Sequence, residues 1–167
     1  ENGSGDLGPS LNTQAFLTVV PDSYIAETLV SGRPGTGMPS WQHLDDEDLA
    51  SVIRFMRTWQ TQPSKPNEWR EQIVPRGDWD AGRFLFTGNC ASCHGADGEG
   101  ATGPQLNNPI FLRTATNAML REWISRGKEG TEMRPFIKGA QGVTELSERQ
   151  IEDIISEVSA RQAVDEG

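Results

Sequence analysis

Both cysteines of the chain and one of its two histidines fall within five residues, Cys90-Ala91-Ser92-Cys93-His94. Few chemistries use two thiols three residues apart with an imidazole directly after them. A redox dithiol would want a βαβ setting, which the flanking sequence does not offer. A structural zinc takes four Cys or His ligands, and the chain holds only Cys90, Cys93, His94 and His43. A disulfide between the two thiols would give His94 no task. In the remaining arrangement each thiol adds to one vinyl group on the edge of a haem, and the next residue swings its imidazole beneath the ring to ligate iron. C-x-x-C-H is the spacing of c-type haem attachment.

These residues need helices to place them. Asp78 to Gly88 reads as a helix running into the motif, with Gly82 and Phe86 four apart on one face. Gly82 is expected where this helix crosses a C-terminal one near Ile155 and Val158, because only glycine lets two backbones approach so closely. That second helix opens at Leu146-Ser147, where Ser147 and Gln150 make a capping box. Ile151, Ile154, Ile155 and Val158 follow at helical spacing and are read as a core face. Leu44-Asp45 opens a similar helix carrying Leu49, Val52, Ile53 and Met56. Shorter helices are predicted at Asp22 to Ser31 and Asn117 to Arg126, each ended by glycine, Gly32 or Gly127. Residues 95–113, rich in Gly, Asn and Pro, read as loop. No stretch alternates like a strand, so the fold is predicted to be all-α.

The chain also repeats itself. Set against Gly100–Phe136 without a gap, Gly5–Trp41 matches at 12 of 37 positions, a shift of 95. The identities fall mainly on glycine, proline, leucine and methionine: Gly8/Gly103, Pro9/Pro104, Leu11/Leu106, Gly32/Gly127, Gly35/Gly130 and Met38/Met133 among them. After seven extra residues in copy two, the later helices correspond at a shift of 102. The organisation is therefore read as 1–60, the C-terminal part of a first module; 61–76, a linker bearing Pro63, Pro66 and Pro75; and 77–167, a complete second module.

Gly77-Asp78-Trp79-Asp80-Ala81-Gly82-Arg83-Phe84-Leu85-Phe86, with the Cys90–His94 motif and Gly95, resembles the start of a class I c-type cytochrome. Gly103-Pro104-Gln105-Leu106 and Gly130-Thr131-Glu132-Met133 resemble that family's post-motif and distal methionine loops. The resemblance implies thioethers at Cys90 and Cys93, His94 as proximal ligand and Met133 as sixth ligand. It further implies that the Pro104 carbonyl orients His94 and that Leu106 packs on the haem face. The family usually has proline directly after this methionine, as in Met38-Pro39; copy two has Met133-Arg134-Pro135. Copy one keeps Pro9, Leu11 and Met38 for a first haem, while its attachment motif would fall before Glu1. The expectation is a second haem c attached upstream of Glu1, with a first module that lacks its opening helix here and could not close a core alone.

The net charge of −9 argues against nucleic acid and suits a basic redox partner. No apolar run is long enough to span a bilayer. Two irons each closed by sulfur leave no position for substrate, which favours an electron carrier over an enzyme. The alternative is a haem enzyme or ligand-binding sensor with a labile axial site. The resemblance implies an extracytoplasmic location such as the periplasm, with partners in a membrane electron-transfer complex and possible membrane attachment through upstream sequence.

Overall fold

The computed structural model describes residues 2–6, 8–64, 77–140 and 144–161. These form eight helices: α1 Gln14–Leu17, α2 Asp22–Ser31, α3 Asp46–Arg57, α4 Trp79–Asn89, α5 Ala91–His94, α6 Pro109–Thr114, α7 Asn117–Arg126 and α8 Glu148–Ala160. Among the described residues there is no strand, only an isolated bridge between Ile137 and Leu146. Most of the expected linker, residues 65–76, lies outside the described residues.

The longer helices begin where their caps direct. Asp45 accepts from the Asp48 amide at 2.8 Å, and Asp78 caps α4 through the Ala81 amide at 2.9 Å. The α8 capping box is complete: the Ser147 side chain accepts from the Gln150 amide while Gln150 accepts from the Ser147 amide at 2.9 Å. Leu146 before it and Ile151 after it are both buried, stapling the first turn.

The main packing is α4 against α8. A Cβ on Gly82 would collide with the Asp153 carbonyl and stand 3.1 Å from Glu157 Cβ, so the two backbones touch. The crossing thus falls at Asp153 and Glu157, on a neighbouring stripe of α8 from the expected Ile155 and Val158. Those isoleucine and valine side chains turn inward, with Ile151 and Ile154, to a core shared with Phe86 and Met119. The buried Asp153 carboxylate accepts from the Asp78 amide at 2.7 Å and so pins the start of α4 to α8.

One expectation is corrected. The segment 95–113 is not all loop: Asn108 caps Ile110 and Phe111, at 3.1 and 3.3 Å, and Pro109 opens α6. The apolar Ile110-Phe111-Leu112 gives that short helix a face to bury. Residues of the first copy pack into the core of the second. Phe16, Leu17, Val19, Val20, Tyr24 and Ile25 belong to one continuous cluster with Phe111, Met119, Trp123 and the α8 stripe.

Candidate haem-binding site

Cys90 is both the C-cap of α4 and the N-cap of α5. The amides of Cys93 and His94 return to its carbonyl at 3.1 and 2.9 Å. That single turn puts Cys90, Cys93 and His94 on one helical face, at the i, i+3, i+4 spacing of neighbours. Both thiols are free; Cys90 is half-buried and Cys93 exposed. Burial first, then the nearby Glu157 carboxylate and Cys93, push the Cys90 thiol up to about 12. Such a thiol is protonated at neutral pH, the opposite of the lowered value that reactive redox cysteines need. Among the described residues no three or more His, Cys, Asp or Glu gather as a metal cluster.

His94 is held by the loop that follows. Its Nδ1–H donates to the Pro104 carbonyl at 2.8 Å, because a carbonyl can only accept. The tautomer is thereby set, and Nε2 keeps its lone pair for a metal. Burial pulls the imidazole below its ordinary range, with help from the Lys128 charge and against the Pro104 bond, so the neutral form that binds metals prevails. The Gly103 amide bonds the Cys93 carbonyl at 2.7 Å. A Cβ at Gly103 would stand 3.0 Å from the imidazole, so this position is a close approach of backbone to ring. Leu106 is half-buried and packs against the core.

Met133 lies on the loop after α7, half-buried against the same core. Its carbonyl accepts from Lys128 at 2.9 Å, and its amide bonds Thr131 Oγ1 at 3.2 Å. Arg134 is exposed and faces Glu132 at 3.8 Å. The copy-one loop has the same frame: Arg33 to the Met38 carbonyl at 3.0 Å, and the Met38 amide to Thr36 Oγ1 at 3.2 Å. The loops bearing Leu11 and Leu106 match as well, with amides bonded to Gly3 at 2.8 Å and to Gly98 at 2.7 Å. Pro9 is exposed, Leu11 and Met38 half-buried, and His43 is exposed against Trp41, ring centroids 5.6 Å apart. The structure thus joins Cys90, Cys93, His94 and Pro104 directly, and brings Leu106 and Met133 to the same core. In copy one Pro9 and Leu11 stand on one loop and Met38 on another.

Sequence reasoning passed over a charged pair beside the thiols. Glu157, only 4% exposed, binds Arg161 at 2.7 and 2.9 Å, and Arg161 lies 4.4 Å over the Phe86 ring. The signal was present: a glutamate at a position packed against α4, with arginine one turn later.

The donor set suits a haem held by two thioethers and an oriented imidazole. Residues 79–156 match the cytochrome c family model. That match defines a cytochrome c domain within the chain. The family implies covalently bound haem c, and Cys90 and Cys93 fit its attachment motif. The chain is 45% identical over 51 residues to cytochrome c55X of Stutzerimonas stutzeri, covering 30% of this chain and 44% of that protein. It is 37% identical over 84 residues to the Cbb3-type cytochrome c oxidase subunit CcoP of Azospirillum sp. (strain B510), covering 44% of this chain and 27% of that one. This chain therefore spans less than half the length of either relative. Among solved structures, a chain of the Kuenenia stuttgartiensis reducing HAO-like protein complex aligns over 84% of this chain and 72% of its own, with TM-score 0.50 and 18% identity. That likeness concerns the fold alone, and it extends beyond the cytochrome c domain into residues of the first copy.

Proposed function

We propose that this chain is an electron carrier whose haem c, attached through Cys90 and Cys93, is ligated by His94 and Met133. The observation that carries this reading is the imidazole fixed by Pro104 on the same face as both thiols. Haem c, when bound, supplies an iron that takes up and gives back one electron. Pro104 keeps the His94 ring from rotating, Leu106 excludes water beside it, and Met133 offers thioether sulfur, a ligand that raises the iron potential. In a carrier of this kind His94 and Met133 would both hold the iron, leaving no place for an added ligand. Met133→Ala should therefore abolish the sulfur–iron band near the red end of the visible spectrum, lower the potential and let the reduced protein bind carbon monoxide. An unchanged spectrum and potential would pass the ligand role to another residue, such as Lys128 or Lys138. Ready carbon monoxide binding by the unmodified protein would instead favour a ligand-binding role.

The finer reading is a di-haem protein in which residues 1–60 complete the pocket of a second haem. Its support is the shared hydrogen-bond frame of the two methionine loops and the two post-motif loops. Met38 would ligate that iron, Pro9 would hold its histidine as Pro104 holds His94, and Leu11 would wall the pocket. A pyridine haemochrome assay on the native polypeptide should return two haems per chain; one would leave Met38 without a ligand role. The CcoP relatives are named as oxidase subunits, and we extend that role here: relay to or within a membrane oxidoreductase, on the periplasmic side. Among the described residues no helix is long and apolar enough to cross a membrane. Extraction of the native protein from membranes with and without detergent distinguishes a fixed subunit from a free shuttle.

A further inference from the structure

The shift of 95 positions relates Arg33 to Lys128 and Phe16 to Phe111. In the folded chain these four residues cross over. The Arg33 guanidinium carbon lies 5.5 Å from the centre of the Phe111 ring, and Lys128 Nζ lies 5.9 Å from the centre of Phe16. Each copy thus sets its cation on the other copy's phenylalanine, the reciprocal pattern of a two-fold interface. A second ring completes each seat: Tyr24 for Arg33 at 5.6 Å and Trp123 for Lys128 at 4.8 Å. Other bonds clasp the seam. Asn108 donates to the Pro34 carbonyl at 2.9 Å, Trp123 Nε1 to the Ala15 carbonyl at 3.3 Å, and Arg113 pairs with Glu27.

Two half-buried cations facing one another should be costly unless something negative lies between them. The chain carries 24 acidic residues. Yet among the described residues no carboxylate reaches ion-pairing distance of Arg33 or Lys128. Burial, and then the Arg33 charge, hold the Lys128 ammonium below its ordinary range. Both cations spring from the base of a methionine loop, through the amide bond to Met38 or Met133. An anion is therefore wanted near the iron ligands, and haem brings its own carboxylates.

We propose that Arg33 and Lys128 form a carboxylate site across the seam between the copies, holding a propionate of the haem attached at Cys90 and Cys93. Copy one then supplies a positioning residue to the haem site of copy two. This rests on the haem reading above, but not on a second haem. Arg33 Nη2 donates to the Tyr24 hydroxyl, while the rings of Phe16, Phe111 and Trp123 hold the cations and leave the other Arg33 N–H groups and the Lys128 ammonium to donate.

The test uses the haem-loaded native protein, with Arg33→Gln, Lys128→Met and Arg33→Lys. Removing a nearby cation disfavours the added electron, so Arg33→Gln and Lys128→Met should each lower the midpoint potential. A tenfold fall in the reduced-to-oxidised ratio at fixed ambient potential corresponds to 59 mV for one electron; we expect a several-fold fall. The propionate bending band in the resonance Raman spectrum should shift in both variants, and Arg33→Lys should restore most of both signals. Potential and band unchanged in both variants would overturn the proposal. So would a parent potential that moves with added acetate, since the occupant would then be a solution anion. Loss of all pigment on acid-acetone extraction of the parent would sink the haem reading itself, which is a different outcome. Lys128→Met keeps an unbranched apolar chain between Phe16 and Trp123, so it remains readable if Arg33→Gln folds poorly.

Discussion

Helices α3 and α8 carry the same apolar pattern in two different surroundings. Each begins at a capped start after leucine, and each carries an apolar stripe in matching register: Leu49, Val52, Ile53, Met56 and Ile151, Ile154, Ile155, Val158. Their inner positions agree, with Ile53 and Ile155 both buried. The outer positions do not. Val52 is 37% exposed where Ile154 is 1%, and Phe55 is 56% exposed where Glu157 is 4%. The difference lies in what covers them: α4 crosses α8 over this face, with Gly82 against Asp153 and Glu157, whereas Phe55 meets the edge of Trp59 at 5.1 Å. A periodic stripe therefore reports only that one side of a helix can be buried; its width in the fold is set by how many neighbours arrive.

The largest expected effect probes the polar half of this contrast. Arg161→Ala strips the partner from a glutamate sealed under α4, and leaving a buried charge unpaired costs about 3–5 kcal/mol. Phe55→Glu, which writes the α8 residue into the exposed α3 site, should change the denaturation midpoint little, as surface substitutions usually stay within about 0.5 kcal/mol. Equal losses in the two variants would remove the contrast. Next, Ile154→Ala should cost about 2–5 kcal/mol as a core truncation. Val52→Ala should lose only about 1 kcal/mol, since Val52 is the smaller side chain and already keeps 37% of its surface in water. Urea titrations of the two proteins side by side would decide this.

A third change attacks the crossing itself. Gly82→Val should lose about 1–3 kcal/mol or more from overpacking, with a visible fall in melting temperature. A melting curve indistinguishable from the parent would mean that the α4–α8 backbone contact is not as close as described. The smallest effect concerns the seam. The hydrogen bond from Ser31 and then the one from Arg113 hold the Glu27 carboxyl below its usual range. Its stabilising share is thus present above the ordinary glutamate value of about 4.3 and is lost as pH falls through the lower folded one. Because the pair is exposed, at 53% and 38%, Glu27→Gln should cost no more than about 1 kcal/mol and should flatten the acid limb of stability below pH of roughly 4. An unaltered acid limb would rule out this contribution.

Much of this was legible in the residues. Caps and glycines marked α2, α3, α7 and α8, because a helix end is a local event with local chemistry. Cys90, Cys93 and His94 were legible for a similar reason, lying within one turn. The start of α6 was legible too, in Asn108-Pro109, but the glycine- and proline-rich stretch around it obscured a single helical turn. The crossing at Asp153 and Glu157 was misplaced because periodicity names the apolar stripe, whereas close backbone approach takes place on the stripe beside it. The exchange of Arg33 and Lys128 between copies was beyond reading, since no period links a cation to an aromatic ring on the other half of a repeat.

The common core has a consequence for how such a protein can vary. Phe111 meets Arg33 and Phe16 meets Lys128, so a substitution in one half alters the surroundings of the other. The two halves therefore constrain each other. Trimmed to the cytochrome c domain alone, the polypeptide would present Phe111 and Trp123 to water where Arg33 and Ala15 now lie against them, and it would be the stickier protein for it.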